Sequence, residues 1–260
     1  MDISDKVALV TGGGSGIGRG MALRLAREGA AIVVVDIDEE GGRETVRQIE
    51  TEGGRAAFVR ADVASDADVR AMVAFAEESF GGLDVLVNNA GIVEAIDTQR
   101  AFFPDVEPER WIRMLDVNLR GVILGTHYGI QAMRKGDGGA IVNIASGAGI
   151  GFGPQGAPVY AASKAGVVRF SAALATLKDE MNVRVNCICP GWVDTPMTQR
   201  WRDEMPAEEW QALTPAVLLQ PEEIADAVVE LIHDDSLAGR VMLCYEGVPR
   251  RLVPVETEEA

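Results

Sequence analysis

The chain reads as a single-domain, doubly wound α/β fold with a parallel sheet and helices on both faces. Three observations predict it. Seven short apolar runs rich in Val, Ile and Ala recur along 260 residues. They are continuous rather than alternating, as strands covered on both faces must be. Longer amphipathic stretches separate them, so strands alternate with helices throughout. No linker, repeat or shift of composition breaks the pattern, so residues 1–260 form one domain.

The strand candidates are Val7–Val10, Ala31–Val35, Ala56–Val59, Val85–Val87, Ala140–Ile144, Val183–Ile188 and Val241–Leu243. Helical patterns occupy 17–29, 39–53, 66–80, 108–135, 158–181 and 221–234. Good start signals open several of them: Ser65/Asp66, Glu107-Pro108 and Gln220-Pro221-Glu222-Glu223. Residues 192–216 interrupt the rhythm. They carry Trp192, Trp201 and Trp210 among Pro196, Pro206 and Pro215, after a strand end, where open α/β sheets bind ligands. The segment reads as a substrate loop. Its tryptophans either line a pocket for a hydrophobic molecule or close a lid or an oligomer contact. Ile150–Pro158 and Val93–Phe103 are further candidate walls, with Phe152, Val93 and Ile96 as apolar contributors.

The net charge is −16. A nucleic-acid surface would be basic, so neither nucleic acid nor an anionic membrane is an expected partner. No apolar stretch has the length of a bilayer span, and Met1–Lys6 lacks a signal-peptide pattern. The expected compartment is the cytoplasm. Cys187 and Cys189 alternate within one apolar run and read as buried small hydrophobes rather than a redox or metal pair. With His127 and His233 isolated, no metal site is expected.

Thr11-Gly12-Gly13-Gly14-Ser15-Gly16-Ile17-Gly18 follows the first strand and opens the first helix. Glycines there let backbone approach a pyrophosphate, and the helix start supplies amide donors and a favourable dipole. Asp36 ends the second strand, eighteen residues beyond Gly18. A carboxylate in that place bonds ribose hydroxyls and repels a 2′-phosphate. Ser15 and Ile37 add no positive charge, and Arg19 is the one nearby cation that would argue otherwise. The expected cofactor is therefore NAD. Tyr160 and Lys164 lie one helical turn apart on one face. The ammonium is expected to lower the pKa of a phenol that is otherwise a poor base. Ser146, fourteen positions upstream, offers a hydroxyl for a substrate oxygen.

In this order and spacing the motifs resemble the short-chain dehydrogenase/reductase family along nearly the whole chain. The resemblance implies a Rossmann-type sheet of seven strands with the cofactor across their carboxyl ends. It implies that Asp62 and Val63 flank the adenine ring. Asn89 of Asn88-Asn89-Ala90-Gly91 would lie near the cofactor while Asn88 braces the strand. Pro190-Gly191 with Val193 and Thr195 would sit beside the nicotinamide. Ser146, Tyr160 and Lys164 would form the catalytic set. Lys164 would also bind the nicotinamide ribose, and Asn118 would hold a water linking Lys164 to solvent. Gly12, Ser15, Gly16, Ile17, Gly18, Asp36 and Ile37 would complete the cofactor contacts, and Ser163 would pack.

A fainter resemblance, through Gly125–Gly129 and Leu231–Leu243, is to the 15-hydroxyprostaglandin dehydrogenase branch, although Gly156-Ala157-Pro158 before Tyr160 lacks that branch's glutamine, with Gln155 close by. The family's usual Asp-Gly-Gly ending is replaced by Tyr245-Glu246-Gly247, which leaves homodimer and homotetramer both open. The expected activity is NAD-dependent interconversion of a hydrophobic secondary alcohol (steroid, lipid-derived, terpenoid or aryl) and its ketone. The alternatives are a reductase of free or acyl-carrier-linked ketones and a non-catalytic nucleotide sensor; a methyltransferase would not need the Ser/Tyr/Lys set.

Overall fold

The structure, a computed structural model, describes residues 1–93, 104–153 and 156–255. Ile96 and Gln155, and all of the Val93–Phe103 wall except Val93, lie outside the described residues.

Seven parallel strands form the sheet: β1 Val7–Thr11, β2 Ala31–Asp36, β3 Arg55–Arg60, β4 Val85–Asn88, β5 Gly139–Ile144, β6 Val183–Pro190 and β7 Val241–Cys244. An eighth, β8 Arg251–Leu252, was not foreseen in the apolar pattern. The order is β3-β2-β1-β4-β5-β6-β7-β8, and β8 pairs antiparallel to β7 through Met242↔Leu252 and Leu243↔Arg251. The seven parallel strands are those expected, and β8 adds an antiparallel eighth whose two residues are too short to show a period. The strand order reverses between β1 and β4, and at such a switch point open α/β sheets bind ligands outside the carboxyl ends of the strands.

Period-two alternation sorts the strand residues to two faces. Ala8, Val10, Ile32, Val34, Val85, Val87, Val142 and Ile144 face a core shared with α1 (Gly16–Arg27) and α10 (Pro221–His233). Val7, Leu9, Val33, Val35, Leu86, Ile141, Val183 and Val185 face the opposite core. Its helices include α3 (Asp66–Phe80) and α5 (Gly121–Met133), and a third cluster beside it holds Cys187 and Cys189 with Val167, Val241 and Leu243. All three cysteines are buried and unbridged. Each fully buried Leu or Ile contributes about 1.5–3 kcal/mol. Edge strand β3 is only partly buried and ends in Arg55 and Arg60, charges that discourage edge pairing.

The start signals hold. The Ser65 hydroxyl accepts from the Asp68 amide, Pro108 is the first residue of α4 (Pro108–Leu115), and Gln220 and Glu223 form a capping box. Asp38 caps α2 (Glu39–Thr51) by accepting from the Glu40 amide. Two long helical expectations are corrected. Residues 108–135 form α4, a π turn at Asp116–Arg120 and α5, while 158–181 splits into α6 (Pro158–Ala173) and α7 (Leu177–Met181). The 192–216 segment carries two short helices, α8 (Pro196–Glu204) and α9 (Ala207–Leu213). Among the described residues no helix is long and apolar enough to cross a membrane, and no three His, Cys, Asp or Glu side chains cluster as metal ligands.

Candidate active site

The glycine turn is shaped by contacts that leave no room for side chains. Gly12 and Gly16 adopt φ of +64° and +50°, a region that favours glycine. A Cβ at Gly18 would overlap the Gly12 carbonyl oxygen, and one at Gly16 would lie 3.3 Å from Thr195 Cβ. The turn is braced from beneath. Thr11 Oγ1 accepts from the Asn89 and Ala90 amides at 3.0 and 3.1 Å, and Asn89 Nδ2 donates to the Thr11 carbonyl at 2.9 Å and to that of Gly12 at 3.3 Å. Asn89, expected near the cofactor, uses its amide to fasten β4 to this turn. The Ser15 hydroxyl caps nothing, although Ser15 stands at the start of α1. Ile17 packs against the core.

Asp36 is partly exposed at the end of β2. Its Oδ2 accepts from the Gly14 amide at 2.8 Å and its Oδ1 from the Asp38 amide at 2.9 Å. Each oxygen keeps further acceptor capacity. Ile37 follows, exposed. Arg19 turns inward: it donates to the carbonyls of Gly14 and Gly41 and, at 3.0 Å, to Thr45 Oγ1. Asp62 pairs with Arg113 at 2.9 Å and accepts from the Ala64 amide. Val63 is buried against Gly121. Val193 makes an isolated parallel bridge with Leu219, and Thr195 caps α8 through a reciprocal bond with Thr198. A bare, amide-rich turn at a helix start with a carboxylate beside it fits a dinucleotide.

On the other side of the crevice, Ser146 leads into a single 3-10 turn, Gly147–Gly149, and its Oγ accepts from the Ala148 amide at 3.2 Å. Tyr160 and Lys164 lie on α6, with Nζ 5.8 Å from the centroid of the phenol ring. Lys164 is 3% exposed, and its Nζ donates to the Ile144 carbonyl at 3.0 Å. The other two N–H bonds have no partner among the described residues.

The expectation that Lys164 lowers the Tyr160 pKa is corrected. Burial pushes the phenol above its ordinary value, and the polar Ser146 side chain offsets this only in part. Loss of solvation is the largest influence on this phenol. Burial acts on Lys164 too, bringing its pKa down to about 8.

Asn118 lies in the π turn, and such turns are frequent at functional sites. Its Oδ1 accepts from the Ile92 amide at 2.8 Å, and its Nδ2 donates to the Ile92 carbonyl at 2.7 Å and to Ser163 Oγ at 3.3 Å. The side chain is thus occupied in tying the end of the Asn-Asn-Ala-Gly segment to α6. Beneath the site, Asn88 Nδ2 donates to Asn143 Oδ1 at 2.9 Å and to Thr126 Oγ1 at 3.2 Å, and Asn143 Nδ2 donates to Ser171 Oγ at 2.9 Å. Asn88 braces the strand ends, as the sequence suggested.

The three tryptophans pack on one another, with Trp192 edge-on to Trp201 at 5.9 Å and to Trp210 at 5.7 Å between ring centroids. Sequence reasoning assigned no role to Thr11, Tyr245 or Glu246. Tyr245 lies against Gly147, and Glu246 against Gly191 and Trp192. Only the departure from the Asp-Gly-Gly ending hinted at the last two.

Known proteins are similar to this chain in sequence and fold. A sequence model described as short chain dehydrogenase matches residues 6–206. Cyclohexanol dehydrogenase of Acinetobacter sp. (strain SE19) is 39% identical over 234 residues, 90% of either chain. Cyclopentanol dehydrogenase of Comamonas sp. (strain NCIMB 9872) is 39% identical over 237 residues, 90% of this chain and 92% of that one. The crystal structure of a short-chain type dehydrogenase/reductase from Mycobacterium marinum superposes with a TM-score of 0.85 at 31% identity, covering 95% of this chain and 96% of that one. The chain belongs to the short-chain dehydrogenase/reductase family of oxidoreductases.

Proposed function

We propose that the protein is an NAD-dependent dehydrogenase that oxidises hydrophobic secondary alcohols, ring alcohols among them, to ketones. The observation that carries this is the pairing of Tyr160 with the buried Lys164 on α6, the ammonium Nζ 5.8 Å from the centroid of the phenol ring. A substrate hydroxyl between the Tyr160 and Ser146 oxygens gives its proton to Tyr160. The Ala148 amide fixes the Ser146 rotamer, so the serine O–H donates to the substrate oxygen as negative charge develops, a preorganised electrostatic contribution. Lys164, with two N–H bonds left over and a pKa brought down to about 8, holds ribose hydroxyls and returns the proton from Tyr160 towards solvent. Asn118 keeps the segment beside it in place. The nicotinamide, when bound, supplies the hydride acceptor.

Asp36 favours NAD over NADP. A 2′-phosphate would face its carboxylate, and Arg19, the nearest cation in sequence, is occupied behind the turn. The tryptophan cluster supports an apolar substrate. The two relatives named for cyclohexanol and cyclopentanol suggest saturated rings as the first compounds to try. Exposed Ile112 and Ile123, on α4 and α5, support a homo-oligomer, dimer or tetramer, which sedimentation velocity would resolve.

Initial rates test the function. Cyclohexanol, cyclopentanol and larger ring alcohols are assayed with NAD and NADP, and the ketones with the reduced cofactors. Turnover of at least one ring alcohol with a preference for NAD supports the reading. Activity confined to acyl-thioester ketones, or to NADP, overturns it.

A further inference from the structure

We infer that Glu246 is a positioning residue that latches the substrate lid to the last hairpin of the sheet. The inference rests on reading 192–216 as that lid. β7 ends at Cys244, Gly247 turns the chain at φ +69°, and β8 returns beside β7. The short β8 therefore has a consequence: it fixes Tyr245 and Glu246 in a hairpin turn over the carboxyl ends of β6 and β7. Gly191 is tied to the same place, its amide donating to the Cys244 carbonyl at 2.8 Å.

Glu246 Oε1 accepts from the Trp192 backbone amide. A Cβ at Gly191 would lie 2.5 Å from Oε1 and 2.7 Å from Oε2, so the carboxylate occupies the space a side chain there would need. Trp192 is the first residue of the lid, and its ring meets Trp201 of α8 and Trp210 of α9. One carboxylate thus holds the residue on which both lid helices pack. The other side of the hairpin bears on the catalytic loop. A Cβ at Gly147, next to Ser146, would lie 2.8 Å from Tyr245 Cε1. The hairpin braces both walls of the crevice, and its sequence, Tyr-Glu-Gly, is the part that departs from the family's usual ending.

The test uses the full chain carrying Trp111→Phe, which leaves the three lid tryptophans as the only indole emitters. Glu246→Ala should raise acrylamide quenching of their emission and raise KM for the alcohol about tenfold with kcat nearly unchanged, as expected for one lost charge-assisted bond that positions the lid. Glu246→Gln, whose side-chain carbonyl still accepts from the Trp192 amide, should restore both readouts. Should Glu246→Ala not fold by circular dichroism, Glu246→Asp, one methylene too short to reach, takes its place. Impairment by the shortened residue with rescue by glutamine supports the latch; any other pairing overturns it. The quenching readout needs no turnover, so if no alcohol is oxidised the proposed function fails while the latch is still decided.

Discussion

Lys164→Met should make the protein more stable while destroying its activity, and the effect should depend on pH in one direction. Lys164 is 3% exposed, and burial lowers its pKa from 10.5 to about 8. At about 1.4 kcal/mol per pH unit, that fall corresponds to about 3 kcal/mol of cost for keeping the ammonium inside the fold below pH 8. Methionine fills the same volume without a charge. It also removes the donor to the Ile144 carbonyl, a loss of about 1 kcal/mol. The net expectation at pH 7 is a gain of about 2 kcal/mol.

The sign follows from proton counting. Between about pH 8 and the unfolded-state lysine pKa of about 10.4, the unfolded chain holds a proton that the folded chain lacks. The native protein's stability from this group therefore rises with pH across that window. The variant's advantage should shrink there and reverse to a deficit of about 1 kcal/mol, the lost hydrogen bond, above it. Urea unfolding of both proteins at matched concentration, from pH 7 to 10.5, measures the difference, and groups common to both, such as Cys244 pushed up to about 12, cancel. A difference that stays flat with pH, or a variant less stable at pH 7, would refute the reasoning that burial of this cation is costly.

Asp36→Ala should erode the preference for NAD by about tenfold or more, since one bidentate-capable carboxylate is lost from the ribose position; an unchanged ratio of kcat/KM for the two cofactors would reject the contact. Asn143→Ala removes two buried side-chain bonds, leaving the Asn88 amide only Thr126 and the Ser171 hydroxyl only the Val167 carbonyl, and should cost about 1–3 kcal/mol in urea unfolding. Because burial holds the Tyr160 pKa above its ordinary value, the phenolate fraction grows with pH, and alcohol oxidation should run faster at about pH 9 than at neutrality. A profile that falls steadily from neutrality upward would contradict that assignment.

The strands were legible because a run such as Ala31–Val35 of β2 is continuously apolar, a pattern that a covered sheet favours. The glycine turn was legible because close backbone approach demands Gly at Gly12 and Gly18, and the Ser/Tyr/Lys set because its order is informative. What was not legible depends on contacts distant in sequence. The π turn is fixed where Asn118 bonds the backbone of Ile92, far upstream, so the 108–135 pattern read as one helix. β8 is two residues long and gains its identity only beside β7. The two lid helices are short and bounded by prolines, so their stretch read as irregular. The spacing of Tyr160 and Lys164 placed them on one face but carried no information about burial, which decides the sign of the tyrosine shift. Arg19 stood near Asp36 in sequence, and only the fold shows it turned towards Thr45.

The central claim is that the Tyr160 oxygen carries the substrate proton. Tyr160→Phe removes that atom and leaves the cofactor contacts of Lys164 and the glycine turn in place. Measured with the best ring alcohol, kcat/KM should fall about 1,000-fold or more, while NADH titrated by fluorescence binds the variant within about twofold of the native affinity. A variant that turns over within tenfold of the native rate would contradict the account.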